Sequence, residues 1–306
     1  MTALDKMKEI TEFLKGLGIE DVHKESEIVV THCLGIDKTV LYRDNPVLSE
    51  KNVKDIDAVL QRRAKREPLQ YIIGNVEFCG LKIKVGRGVL IPRPETELLA
   101  EEVIKAVESY KLKVKSEKEI HNSKLQTPNS KLRVLDLCTG SGCLALAIAK
   151  NFPDAKVYGT DISKDAIRYA NENAELNAIT NVTFLKGSLF EPLKQIIFSG
   201  TLSFKFDVIV SNPPYIRSCD MPNLQPEINK WEPRNALDGG EDGLSYYRTI
   251  LSEARAYLML SGVIFLEIGE GQAEEVSEIA VRNCFRNISV IKDYSGIERI
   301  IAARAL

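Results

Sequence analysis

With 306 residues, the chain has room for one large and one small domain. A composition of 44% hydrophobic and 27% charged residues describes a soluble globular protein, and no apolar run approaches the ~20 residues needed to span a bilayer. A formal net charge of -2 supplies no general positive field for nucleic acid, so direct DNA binding is not expected.

The first residues open an amphipathic stretch without the apolar block of a signal peptide, which predicts a cytoplasmic location. Met7, Ile10, Phe13, Leu14 and Leu17 recur at helical spacing before Gly18. Residues 26–34 predict a second helix ending near Gly35, and Ser49 is placed to cap a third through Val53, Ile56, Val59 and Leu60. Residues 1–72 are thus expected to form a small helical domain. Its end carries the cluster Arg62-Arg63-Ala64-Lys65-Arg66, within a segment of twelve basic and thirteen acidic side chains. The cluster reads as a solvated helix end, where cations favour the C-terminal dipole, or as a docking patch for an acidic or RNA-bearing partner.

Residues 76–85 alternate as a β-hairpin around Gly80, and Pro92 and Pro94 hold the next segment extended before a helix from Glu95. Residues 73–94 therefore read as a structured connector. Residues 111–131, rich in Lys, Ser, Asn and Glu without sustained periodicity, are expected to be a mobile surface insertion.

From Leu132 strands and helices alternate, the pattern of an α/β domain with a mostly parallel sheet. Strands are predicted over 134–137, 156–160, 182–185, 206–210 and 263–267, with a helix over 142–150 and another capped by Ser163. At the end, segments 288–292 and 297–303 are joined by Tyr294-Ser295-Gly296, too short for a crossover helix. The last strand must then run antiparallel, an arrangement more typical of methyltransferases than of dehydrogenases. This domain is expected to occupy 95–306.

The six cysteines show no Cys-x-x-Cys pair and read as reduced, mostly buried residues. The three histidines (His23, His32, His121) all precede the sheet, so neither a metal site nor a histidine triad is expected.

Asp136-Leu137-Cys138-Thr139-Gly140-Ser141-Gly142 closes the first strand of the sheet and opens a helix. Gly140 and Gly142 permit a tight turn and close approach to a ligand, and Asp161, at the end of the next strand, can accept both hydroxyls of a ribose. The loop also satisfies the G-x-G-x-x-A form of a dinucleotide fingerprint, and a packing turn without ligand would look similar. An acid directly before the glycines suits a ligand with a cationic amino acid part and no phosphates. S-adenosyl-L-methionine fits that description.

Across the sheet, Asn212-Pro213-Pro214-Tyr215 follows the apolar run 206–210, at a strand end where open α/β sheets handle ligands. Asn212 can accept from an N–H, the two prolines stiffen the loop and leave carbonyl acceptors, and Tyr215 can lie flat on a planar group. The alternative is an ordinary strand-ending turn.

With these residues assembled, the chain resembles the PrmC/HemK family of release factor glutamine methyltransferases. The resemblance rests on Pro68-Leu69-Gln70-Tyr71-Ile72-Ile73-Gly74 through Phe78 with Ile91-Pro92-Arg93-Pro94-Glu95-Thr96-Glu97, on the Asp136–Gly142 loop with Asp161, and on Asn212-Pro213-Pro214-Tyr215 followed by Glu232-Pro233 and Ala236-Leu237-Asp238-Gly239-Gly240-Glu241-Asp242-Gly243-Leu244. It implies a Rossmann-like S-adenosyl-L-methionine-dependent fold and methylation of the side-chain amide of the Gly-Gly-Gln glutamine in peptide chain release factors. By the same resemblance, Asn212, Pro213 and Tyr215 are catalytic. Asp136, Cys138, Thr139, Gly140, Ser141, Gly142, Asp161, Ser188, Leu189 and Asn212 hold the cofactor. Pro214, Phe78, Ile91 and Arg93 join the Asn212 loop in guiding substrate, and residues 1–72 dock it.

Cys138 stands where the family usually has a glycine, which is harmless unless that position needs positive φ. Leu189 replaces an aromatic residue found in some members. The tetrapeptide also occurs in DNA adenine-N6 methyltransferases, which share the sheet. A non-catalytic adaptor of the translation machinery and a nicotinamide dehydrogenase are the readings from other classes.

Overall fold

The computed structural model describes residues 1–121, 131–198 and 205–305. The chain divides into two compact units, Met1–Gly74 with Gln225–Trp231, and Asn75–Leu224 with Glu232–Leu306.

The first unit contains helices α1 (Ala3–Gly16), α2 (Val22–Leu34), α3 (Lys38–Asp44), α4 (Glu50–Arg63) and α5 (Leu69–Ile73). Two of them start on reciprocal caps, Thr2 with Asp5 and Ser49 with Asn52, in which each side chain satisfies a backbone N–H that the first turn leaves open. Helix α2 begins before the expected residue 26, and α3, capped by Asp37, is too short to show a period in sequence. Ile10, Leu14, Val29, Val30, Leu41 and Ile56 are fully buried and form the core between helices.

The basic cluster is a solvated helix end only in part: Arg62 and Lys65 are exposed, whereas Arg63 and Arg66 are drawn into ion pairs. Arg63, at 3% exposure, pairs with Glu25 at 2.8 Å and with Glu227 at 2.8 Å. Arg66 reaches Glu227 at 2.8 Å and the Leu17 carbonyl at 2.8 Å, and Arg62 pairs with Glu67. Acidic residues distant in sequence, Glu25 and Glu227, neutralise Arg63 and Arg66.

In the second unit, β1 (Asn75–Phe78) and β2 (Leu81–Lys84) form an antiparallel hairpin. Its turn residues Cys79 (φ 48) and Gly80 (φ 67) both have positive φ, the primed turn that matches strand twist. Helix α6 (Pro94–His121) follows. It runs through the first half of the segment 111–131 expected to be an insertion, because Lys and Glu are good helix formers even without an apolar face. The rest of that segment, 122–130, lies outside the described residues.

Strands and helices then alternate: β3 (Arg133–Leu137), α7 (Cys143–Asn151), β4 (Lys156–Asp161), α8 (Lys164–Leu176), β5 (Val182–Lys186), α9 (Glu191–Phe198) and β6 (Phe206–Ser211). Helix α10 (Pro226–Trp231) belongs to the first unit. Then come α11 (Ser245–Tyr257), β7 (Leu258–Glu267), α12 (Ala273–Arg282), β8 (Phe285–Lys292) and β9 (Glu298–Ala305). The seven strands lie in the order β5-β4-β3-β6-β7-β9-β8. All neighbours are parallel except β9, which slots antiparallel between β7 and β8. The expected mostly parallel sheet with a terminal antiparallel strand is the fold observed. No helix among the described residues is long and apolar enough to cross a membrane.

Strand order reverses at β3, which pairs with β4 on one side and β6 on the other. In open α/β sheets, ligands bind at such a switch point, outside the carboxyl ends of the strands. The parallel register sets Leu137 beside both Thr160 and Ser211, so the residues just beyond three strand ends converge.

Candidate functional site

An open cleft with about 930 Å³ of empty space, solvent at its mouth included, lies at this switch point. The predicted residues Asp136, Cys138, Thr139, Gly140, Ser141, Asp161, Ser188, Leu189, Asn212, Pro214 and Arg93 all line it.

The glycine loop is built by the backbone. The Thr139 N–H donates to the Thr160 carbonyl (3.0 Å), closing the loop onto β4. Gly140 (φ 56) has open space where a Cβ would stand, so only its conformation asks for glycine. Gly142 (φ 80) is different: an added Cβ would meet Phe184 at 2.9 Å and Ala170 at 3.0 Å. Gly142 does not line the cleft, and its role is helix-to-strand packing. Asn173, fully buried on α8, donates to the Ser141 carbonyl (2.9 Å) and ties the loop to β2 by exchanging hydrogen bonds with Lys84.

Cys138 has φ 58, so the condition under which its replacement of glycine matters is met. Leu189 also lies in the left-handed region (φ 45). Two non-glycine residues thus hold left-handed backbone at the cleft wall. Burial pushes the Cys138 thiol up from its usual range, which disfavours the thiolate.

The two acids have distinct settings. Asp161 accepts from the Gly140 N–H (2.9 Å) on one oxygen and from the Ser163 N–H (2.8 Å) on the other. Each oxygen is aimed while retaining a lone pair, as a diol requires. Burial raises its carboxyl above the usual carboxylate range against the pull of those two donors. Asp136 is 1% exposed and accepts from the Thr139 hydroxyl at 2.5 Å. Burial raises its carboxyl to about 7, while the hydrogen bonds from Thr139 and the Ala145 backbone pull it down. A cation entering the cleft would be well placed to restore its charge.

Opposite stands the Asn212 loop. The Asn212 Nδ2 donates to Thr96 Oγ1 (3.0 Å), and Oδ1 accepts from no described residue. The Gln272 side chain donates to the Tyr215 carbonyl (3.1 Å), while the Ile216 N–H donates to the Leu237 carbonyl and the Gly239 N–H to the Ile216 carbonyl. The glycine-rich run 236–244 lies flush on this backbone. A Cβ on Gly239 would stand 2.7 Å from Tyr215 Cα, so no side chain fits there. The loop is held rigid from both sides.

Not every predicted residue reaches the cleft. Phe78 is 1% and Ile91 4% exposed, and both belong to the core; the Ile91 N–H donates to Glu232. Pro213 is buried, and Tyr215, half-buried beside the cleft, is not among its lining residues. Four residues of the site region were not singled out. Thr96 and Tyr246 line the cleft, Glu232 accepts from Arg93 at 2.5 Å, and Glu267 accepts from Thr96 Oγ1 at 2.8 Å. Glu232 and Thr96 lay inside the quoted motifs. Glu267 could have been found as an acid closing an apolar strand.

Comparison with known proteins places both parts of the chain. Residues 5–74 match the PrmC N-terminal domain and residues 128–248 a methyltransferase domain. A release factor glutamine methyltransferase of Thermodesulfovibrio yellowstonii is 46% identical over 98% of this chain and 97% of its own length. The namesakes from Geobacter sulfurreducens (40%; 95% and 93%) and Bacteroides thetaiotaomicron (34%; 93% of each) are similar over comparable spans. With relatives of that similarity along nearly its whole length, the chain belongs to the release factor glutamine methyltransferase family.

Proposed function

We propose that this enzyme transfers a methyl group from S-adenosyl-L-methionine to the side-chain amide nitrogen of the glutamine in the Gly-Gly-Gln motif of peptide chain release factors, and so modulates translation termination. When bound, the cofactor supplies an electrophilic methyl carbon on a sulfonium. The donor set of the cleft fits it. Asp161 presents two aimed oxygens to a ribose, Asp136 faces a cationic amino acid portion, residues 138–141 lie along it, and Ser188 and Leu189 border the base.

An amide nitrogen is a weak nucleophile because its lone pair is delocalised into the carbonyl. The task of the protein is therefore geometric and electrostatic. Asn212 Oδ1 and the Pro213 carbonyl accept the two amide hydrogens, which fixes the nitrogen and stabilises positive charge developing on it. Pro214 and Tyr215 flank the amide plane. The surplus proton leaves to water. The helical unit docks the body of the release factor.

One observation carries this reading: Asn212 spends its Nδ2 on Thr96, leaving Oδ1 for a ligand N–H beside the cofactor loop. Intact-mass analysis of release factor after incubation should show one added methyl, on the tryptic fragment bearing the glutamine. Asn212→Ala should lower the rate about 100-fold at saturating cofactor, with cofactor affinity measured separately. A rate within a few-fold of the parent would remove Asn212 as acceptor. Asp161→Ala should weaken cofactor binding by roughly 10-fold or more through lost charge-assisted hydrogen bonds.

A further inference from the structure

We propose that Thr96 and Glu267 are positioning residues that lock the Asn212 carboxamide in the single orientation able to accept a hydrogen bond from the substrate amide. This rests on the assignment of Asn212 as acceptor, and it explains what enforces that role.

An asparagine amide is nearly symmetric in shape, so its two flips differ only in their hydrogen-bond partners. Three buried or partly buried groups lie in series. Glu267, 1% exposed, ends β7 beside the end of β6, where Leu266 pairs with Ser211. Thr96, 3% exposed, sits in the first turn of α6, with Oγ1 2.8 Å from Glu267 Oε2 and 3.0 Å from Asn212 Nδ2. An ionised carboxylate only accepts, so the single hydroxyl proton of Thr96 is committed to Glu267. The Thr96 oxygen then has only lone pairs to offer Asn212. It can receive Nδ2–H, and it repels Oδ1. The negative charge at one end of the series thus dictates which atom Asn212 turns toward the cleft.

The lock has an electrostatic condition. If Glu267 is protonated it can donate to Thr96, whose own proton becomes free to engage Asn212 Oδ1 in competition with substrate. The charged and titratable groups around Glu267 are Arg93 and Glu95 ahead of and within α6, Arg299 on β9, Tyr215 on the acceptor loop and Tyr247 on α11. Burial holds the Glu267 carboxyl up to about 7, the Thr96 hydrogen bond and the two arginines opposing and Glu95 adding to the rise. Protonation therefore falls in an accessible range.

Full-length variants Thr96→Val, Thr96→Ser and Glu267→Gln test this with whole release factor as substrate. Thr96→Val keeps the shape and loses the hydroxyl. Its kcat should fall about 10- to 100-fold, with cofactor affinity by calorimetry within a few-fold of the parent. Affinity for release factor, measured with S-adenosylhomocysteine present, should also weaken. Thr96→Ser should restore both. Glu267→Gln, which can either accept from or donate to Thr96, should lower kcat and abolish the fall of kcat on the acid side of about pH 7. A second measurement is independent of turnover: the side-chain amide protons of Asn212, identified by their loss in Asn212→Asp, should exchange slowly in the parent and fast in Thr96→Val. If Thr96→Val proves unstable, Glu267→Gln and the exchange rates in the parent carry the same test. Parent-like kcat in Thr96→Val and Glu267→Gln, failure of Thr96→Ser to rescue, or rapid exchange in the parent would overturn the lock. A parent enzyme that adds no methyl to release factor, yet shows the slow exchange, would instead refute the proposed reaction.

Discussion

Cys138 holds a left-handed backbone conformation, φ 58, at a position where a Cβ costs roughly 1–2 kcal/mol. Replacing it with glycine removes that strain but gives the unfolded chain more freedom, worth about 0.4–1 kcal/mol in the other direction. Cys138→Gly should therefore raise the melting temperature slightly, by about 1–3 °C, with cofactor affinity equal to or better than the parent. A lower melting temperature would mean that the cysteine side chain contributes packing that outweighs the strain. Asp136, Asp161 and Asn212 were legible in sequence because each is a polar residue within or at the end of a strand-like run that leads into glycine, serine or proline. Glu267 ends such a run too, yet its role was hidden. It acts through Thr96, 171 residues away in sequence, and Thr96 is itself 116 residues from Asn212. No local pattern encodes such a pairing. Phe78 and Ile91 show the opposite error: apolar residues inside a family motif were assigned to substrate, whereas their burial assigns them to packing.

At the scale of elements, periodicity located every strand of the large sheet and left lengths and ends uncertain. Strand β7 was expected from residue 263 but begins at Leu258, because Ser261 (φ 63) interrupts the alternation that marks a strand. Helix α6 continues on propensity where an apolar face, the signal sought, is absent. Within the basic cluster, the burial of Arg63 and Arg66 was hidden for a further reason: charge runs look solvated when their partners are far along the chain. Arg63 is matched by Glu25 in α2 and Glu227 in α10, and Arg66 also reaches Glu227. These pairs hold the Glu227 carboxyl below its usual range despite burial. Glu227→Gln should leave Arg63 with one carboxylate in place of two and loosen α10 from the helical unit. Hydrogen exchange at Gln225–Trp231 should accelerate about 10-fold or more, while the strands of the large sheet keep their protection. Unchanged exchange in that segment would mean that apolar packing, and not the arginines, retains it.

Among the described residues, Asp136 and Glu267 are deeply buried acids whose carboxyls burial raises to about 7. Between about pH 4 and 7 the folded chain binds more protons at these sites than the unfolded chain does, so their contribution to stability is full at the acid end and is lost as pH rises through that window. Carboxylates held by hydrogen-bond donors and cations work in the opposite sense. Asp242, held down to about 2 by Arg248, and Glu27, Glu172, Asp238 and Asp293, held below their usual range, contribute stability that is lost only as pH falls below about 4. The melting temperature without ligand should accordingly peak at about pH 4 to 5 and decline toward neutrality. Cofactor binding should run counter to this. A cationic ligand beside Asp136 favours the carboxylate, so binding must expel a proton, and affinity must rise with pH up to about 7 and then level off. The thermal shift produced by S-adenosyl-L-methionine should grow between about pH 5 and 7, and calorimetry in buffers of different ionisation enthalpy should detect proton release in the same interval. Asp136→Asn removes the titrating group and should flatten both responses. If the wild-type affinity were already flat across that interval, Asp136 would not face the cationic part of the ligand, and its charge would serve the Thr139 turn alone.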